Sequence, residues 1–130
     1  MDITPPIRGI DHVQVVAPPG AEHAARRFYG SLLGLEERPK PPGVAGTGGV
    51  WFRCGVQELH VGVADPHTPA VRAHPALAVE PGELTALAAR LERAGLAVEW
   101  DARIAGVSRF FVSDPFGNRI ELLAAPAGRA

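Results

Sequence analysis

The run Asp114-Pro115-Phe116-Gly117-Asn118-Arg119-Ile120-Glu121-Leu122-Leu123 sets a carboxylate inside an apolar strand. Its first five residues spell a turn and the rest reads as a strand heading for a core. Strand side chains alternate faces, so Glu121 points away from Ile120 and Leu122. A carboxylate in that position either reaches water or has a partner. The same alternation puts Arg119 and Leu123 on the side of Glu121. On the preceding strand-like segment Arg109 and Phe111 share a face, and further upstream Trp51 and Arg53 oppose Val50, Phe52 and Cys54. An arginine in a cleft can hold a carboxylate or phosphate through a bidentate contact, with Phe111 as an apolar wall. An arginine on an outer sheet face simply covers it.

Two histidines lead matched segments. Placing His12 on His74, 62 residues later, brings Gly20 onto Gly82, and a one-residue gap brings Gly34-Leu35 onto Gly95-Leu96. Each segment reads strand, Pro/Gly turn, amphipathic helix, Gly stop, strand. In residues 21–33, Ala21, Ala24, Ala25, Phe28 and Leu32 fall on one helical face; in residues 83–94, Leu84, Leu87, Ala88 and Leu91 do the same. Gly34 and Gly95 suit left-handed helix ends. Strand-like segments follow at 35–38, 50–54 and 58–63, then at 97–101, 109–112 and 119–123. The chain therefore reads as an α+β fold of two βαβββ modules, about residues 8–64 and 72–124. Residues 38–49 are rich in Pro and Gly and read as a mobile loop, and residues 125–130 as a frayed tail.

The chain has 130 residues, enough for one domain with a core and too few for two ordinary ones. It is 46% hydrophobic with a net charge of -1. Its one lysine, Lys40, and its arginines are scattered, which argues against a nucleic-acid footprint. Cys54 is the only cysteine and reads as a small core residue; no internal disulfide can form. No apolar run is long enough to cross a membrane, and residues 1–10 do not resemble a signal peptide, so a cytoplasmic location is expected. His23 and His67 read as surface residues.

The segments Asp11–Val16, Arg26–Glu36, Glu58–Val63, Ala73–Val79 and Arg109–Leu123, in paired βαβββ modules, resemble the vicinal oxygen chelate superfamily over about residues 8–124. That group includes glyoxalase I, extradiol dioxygenases, methylmalonyl-CoA epimerase and the fosfomycin- and bleomycin-resistance proteins. The resemblance implies incomplete barrels, a homodimer, and a divalent metal (Fe, Mn, Co, Ni or Zn) that chelates a small oxygen-rich substrate. It implies ligands on the first and last strands of each module: His12, His74 and Glu121, with a fourth at Glu58 or His60. Strand parity does not separate that pair, since both face the same way. A glyoxalase I carboxylate would match Glu58, whereas His60 sits deeper, between Leu59 and Val61. The reading adopted takes His60 as ligand and leaves Glu58, with Glu121, as a candidate base. Trp51, Arg53, Arg109 and Phe111 would line the substrate pocket. The resemblance implies an isomerase, lyase or dioxygenase; the alternative is a non-catalytic drug- or metabolite-binding protein.

Overall fold

The computed structural model describes residues 4–124, so the expected frayed tail lies outside the described residues. Two copies of one pattern build the fold. In the first, β1 (His12–Ala17), β2 (Glu36–Arg38), β3 (Val50–Cys54) and β4 (Gln57–Val63) form a sheet in the order β1-β4-β3-β2. In the second, β5 (Ala76–Val79), β6 (Glu99–Asp101), β7 (Arg109–Ser113) and β8 (Arg119–Ala124) repeat it as β5-β8-β7-β6. First and last strands of each module run parallel, and the other neighbours run antiparallel. The α+β, two-module expectation holds.

Alternation divides each sheet into two faces. One face carries Val15, Ala17, Val50, Phe52, Leu59 and Val61 in the first sheet and Phe110, Val112, Ile120 and Leu122 in the second. These side chains form one continuous core with Phe28, Tyr29, Leu84, Ala88 and Leu91 of the helices. The core lies where the helices pack against the sheets. The opposite sheet faces carry His12, Gln14, Trp51, Arg53, Glu58 and His60 in the first module. In the second they carry Arg109, Phe111, Arg119 and Glu121.

The helices follow the apolar spacing, with one departure. Helix α2 (Leu84–Arg93) buries Leu84, Ala88 and Leu91 as expected, and Leu87 is half-buried. The first helix is α-helical only over Glu22–Ala25 (α1) and continues as a π-helix over Arg26–Leu32. Its wider turn is closed by the Leu33 amide donating to the Phe28 carbonyl. Tyr29 is thereby buried beside Phe28, a core position that the simple helical face had left out. Gly34 and Gly95 end the two helices at φ 80° and 87°, the left-handed region expected of them.

Three expectations need correction. Residues 38–49 are not structureless, because Pro42–Thr47 forms a 3-10 helix and Lys40 Nζ donates to the Gly48 carbonyl. Strand β5 starts at Ala76, so His74 stands two residues ahead of it rather than at its head. His67 is half-buried, with its ring Nε2 3.2 Å from the Phe116 carbonyl oxygen. His23 is exposed as expected, and Cys54 is half-buried, with burial pushing its thiol pKa up.

Candidate metal and substrate site

Strand register ranks the two candidates for the fourth position. In the second module Ala76 of β5 lies opposite Glu121 of β8. The repeat that puts His12 on His74 puts Gln14 on Ala76, and Gln14 lies opposite His60. The antiparallel neighbours agree: Trp51 faces His60, as Phe111 faces Glu121. His60 is therefore the module counterpart of Glu121. Glu58, two residues earlier, corresponds to Arg119.

The second module holds its polar group tightly. Glu121 is buried, with a side chain 8% exposed. Its Oε1 lies 2.9 Å from His74 Nε2, and its Oε2 accepts from Arg109 Nη1 at 3.3 Å. His74 is fixed from the other side, its Nδ1 2.8 Å from the Arg72 carbonyl oxygen. Both ring nitrogens of His74 therefore face acceptors, the Arg72 carbonyl on one side and the Glu121 carboxylate on the other, and this fixes the plane of the ring. The His74 ring meets Phe111 edge-on, with centroids 5.3 Å apart. So the carboxylate that posed the question in the sequence has two partners, a histidine and an arginine.

The first module presents an aromatic stack. Trp51 lies flat on His60 (centroids 3.8 Å apart, planes within 3°), and His12 stacks on His60 at 4.3 Å. Glu58 Oε1 is 2.8 Å from His60 Nε2, and Asp11 Oδ1 is 2.8 Å from His12 Nδ1. His60 is buried and His12 exposed. Arg53 is exposed on the same face, opposite Glu58.

The expected ligand residues thus form two pairs, His12 with His60 and His74 with Glu121, one on each sheet. Among the described residues no three His, Cys, Asp or Glu side chains gather closely enough within the chain to hold a metal ion. Both pairs lie on sheet faces turned away from the core. Strands β1 and β5, which run beside β4 and β8, each form one edge of their sheets. The Asn118 side chain meets part of the β1 edge, its Nδ2 donating to the Val16 carbonyl at 2.7 Å.

A cavity of about 880 Å³ opens over the second pair. Arg109, Phe111 and Glu121 line it, as alternation predicts. Arg72 and Arg103 line it too, and sequence reasoning missed both because they lie on loops outside any period. Asp101 organises this rim. Its carboxyl is held well below the usual carboxylate range by the Arg103 side chain, then by the Arg103 amide and the Arg109 charge. Trp51 and Arg53 belong to the other module and do not line this cavity.

The family profile described as Glyoxalase/Bleomycin resistance protein/Dioxygenase superfamily matches residues 9–122. The chain belongs to that superfamily. Among solved structures, this superfamily member resembles a putative glyoxalase family protein from Bacillus anthracis at 48% identity and TM-score 0.89, over 95% of this chain and 100% of that one. It shares its fold with a lactoylglutathione lyase from Agrobacterium tumefaciens (24% identity, TM-score 0.72, 93% and 96% covered). It also shares it with a fosfomycin resistance protein, FosX, from Listeria monocytogenes (16%, TM-score 0.73, 93% and 96% covered). No curated protein matches the sequence. Among the described residues no helix of this superfamily member is long and apolar enough to cross a membrane.

Proposed function

We propose that the chain is a metal-dependent enzyme, of isomerase, lyase or dioxygenase type, acting on a small oxygen-rich metabolite. The observation that carries this reading is the register equivalence of His60 and Glu121. It gives each module one polar donor at the same place, beside the leading histidine of that module. The ligand set is then His12, His60, His74 and Glu121. Three imidazoles and one carboxylate are donors that a divalent Fe, Mn, Co, Ni or Zn ion accepts. The pair His74 Nε2 and Glu121 Oε1 fits that use, since two ligand atoms each about 2.1 Å from one ion at a right angle stand about 3 Å apart.

Because each module of one chain supplies a pair, the full set requires two modules face to face. We assign that to a homodimer in which the first module of one chain meets the second module of its partner. The uncovered site faces and the edge positions of β1 and β5 favour such an assembly. A bound divalent ion would supply Lewis-acid polarisation of two neighbouring substrate oxygens. The chain supplies the rest. Glu58, half-buried beside His60, would take a proton from the substrate. Phe111 and Trp51 would wall the reacting group from water, and Arg109 would balance developing negative charge.

One observation favours a second reading. Arg109 already satisfies Glu121 without a metal, as it would in a non-catalytic drug- or metabolite-binding protein that uses the same faces. Elemental analysis of untagged protein, with and without added Fe(II), Mn, Co, Ni and Zn, separates the two. The enzyme reading expects about one ion per chain, lost in His74→Ala and Glu121→Gln. Protein that takes up no ion under any condition would be the binding protein instead.

A further inference from the structure

We infer that the cavity over Glu121 takes a small organic anion, a carboxylate or phosphate whose charged end is gripped by Arg119 and Arg72. The inference deepens the proposed function by naming a substrate class, and it rests on that reading only for the placing of the ligand's other end near His74 and Glu121.

Four guanidiniums border this one cavity, from Arg72, Arg103, Arg109 and Arg119. Three carboxylates meet them: Glu121, Asp101 and Glu99. Two arginines are already committed. Arg103 is clamped to Asp101 through Nε at 2.8 Å. Arg109 is split between Asp101 and Glu121, at 3.3 Å each, with a side chain only 13% exposed. The other two are not. Arg119 reaches Glu99 only at 3.7 Å, beyond a hydrogen bond, and Glu99 is well exposed, so the pair is weak. Arg72 has no side-chain partner among the described residues.

Arg119 is nevertheless held in position. Its Cζ lies 3.9 Å from the centre of the Phe111 ring, a cation–π contact that holds the guanidinium over the aromatic wall and leaves its N–H fork unspent. An arginine that merely shielded an outer sheet face would extend into water. This one lies over an aromatic wall beside a histidine and a carboxylate. A planar, oriented guanidinium with free donors matches the bidentate geometry of a carboxylate or phosphate. Arg72 adds a second charge on the same rim, and its own carbonyl oxygen meets the His74 ring. Anion grip and the His74–Glu121 pair are therefore linked by two residues of one loop. The cavity is of a size that encloses a small metabolite.

The test is isothermal titration of the full chain, in EDTA and again after loading with Mn(II), using L-lactate, inorganic phosphate and the uncharged isostere lactamide. Lactate or phosphate should bind, and lactamide should not. Arg119→Gln and Arg72→Gln should each weaken the anion at least tenfold, while Arg93→Gln, on the exposed face of α2, should change nothing. Arg119→Lys, which keeps the charge and loses the fork, should fall between. Circular dichroism melts check that each variant is folded. The tighter of lactate and phosphate names the anion. Equal binding of lactamide, unchanged affinity in both glutamine variants, or no anion binding in either metal state would overturn the inference. Manganese uptake without anion selectivity sinks this inference and leaves the metal reading standing. Anion binding in EDTA by a protein that takes up no metal does the reverse.

Discussion

His60 and Glu121 stand at the same register position of their two sheets, each opposite the residue two beyond a module's leading histidine. The repeat is therefore a repeat of polar groups as well as of strands, with imidazole in one half where carboxylate stands in the other. Glu58 lies one pleat away and hydrogen-bonds His60. Under the proposed function this separates a ligand, His60, from its orienting group, Glu58, and the two can be tested apart. His60→Ala should lose bound metal at least tenfold in affinity, the size expected for a ligand or its close support. Glu58→Gln can still hydrogen-bond the ring and should keep metal within a few-fold. Competition against a metal-sensitive dye measures both. Loss of metal in Glu58→Gln with retention in His60→Ala would reverse the assignment.

The proposed cross-chain site gives a mixing prediction. A homodimer of His60→Ala or of Glu121→Gln should hold no intact site. Unfolding the two together and refolding the mixture should restore metal binding, because a mixed dimer pairs one intact first module with one intact second module. Half the chains would enter mixed dimers and each would regain one site in two, so about a quarter of wild-type metal content is expected by random assortment. Sites built within one chain would give no recovery. Metal analysis of the refolded mixture, with sedimentation to confirm dimers, reads the result.

Much of this was legible in the residues, and the failures are instructive. Period-two alternation put Arg109, Phe111, Arg119 and Glu121 on one face, and they do line one cavity. The repeat spacing located both histidines. Parity could not choose between Glu58 and His60, because residues two apart share a face; the choice needs the register of β1 against β4, strands more than forty residues apart in sequence. The π-helical turn at Arg26–Leu32 has no signature in apolar spacing, so Tyr29 was missed as a core residue. Arg72 and Arg103 sit on loops, where no period marks direction. Spacing also could not show that His12 and His60 lie on one sheet while His74 and Glu121 lie on the other, because that division comes from the strand pairing.

Arg109 joins the buried Glu121 to Asp101, and one of its nitrogens, Nε, is buried with no partner. Arg109→Met should leave the buried Glu121 without its arginine, while Asp101 keeps Arg103. The metal-free protein should lose on the order of 2 kcal/mol, less than the full cost of an unpaired buried charge because the cavity admits water. Added divalent metal should recover part of that loss by taking over Glu121, and the variant should bind metal at least as tightly as wild type. Urea unfolding with and without Mn(II) provides the measurement. A variant as stable as wild type without metal would show that the arginine does not balance Glu121.

Tyr29 ties the modules together. Its hydroxyl donates to Asp114 Oδ2 at 2.5 Å, and Asp114 also accepts from the amides of Phe116 and Asn118, fixing the turn that leads into β8. Burial first, and then the Asp114 charge, push the phenol far above its ordinary pKa. A group whose folded pKa is raised stabilises fully below its unfolded pKa and loses that contribution as pH rises past it. For tyrosine the loss should begin near pH ~10 and continue upward. Tyr29 is the only tyrosine, so Tyr29→Phe should remove this alkaline limb cleanly. A shallower limb from the half-buried Cys54 thiol, starting near pH ~8.5, should remain in both proteins. At pH 7 the variant should be about 1–3 kcal/mol less stable, since the Asp114 carboxylate loses a buried donor. Urea midpoints from pH 7 to 11 test both parts. A variant as stable at pH 7 and with the same alkaline decline would show that the hydroxyl contributes nothing to holding the turn.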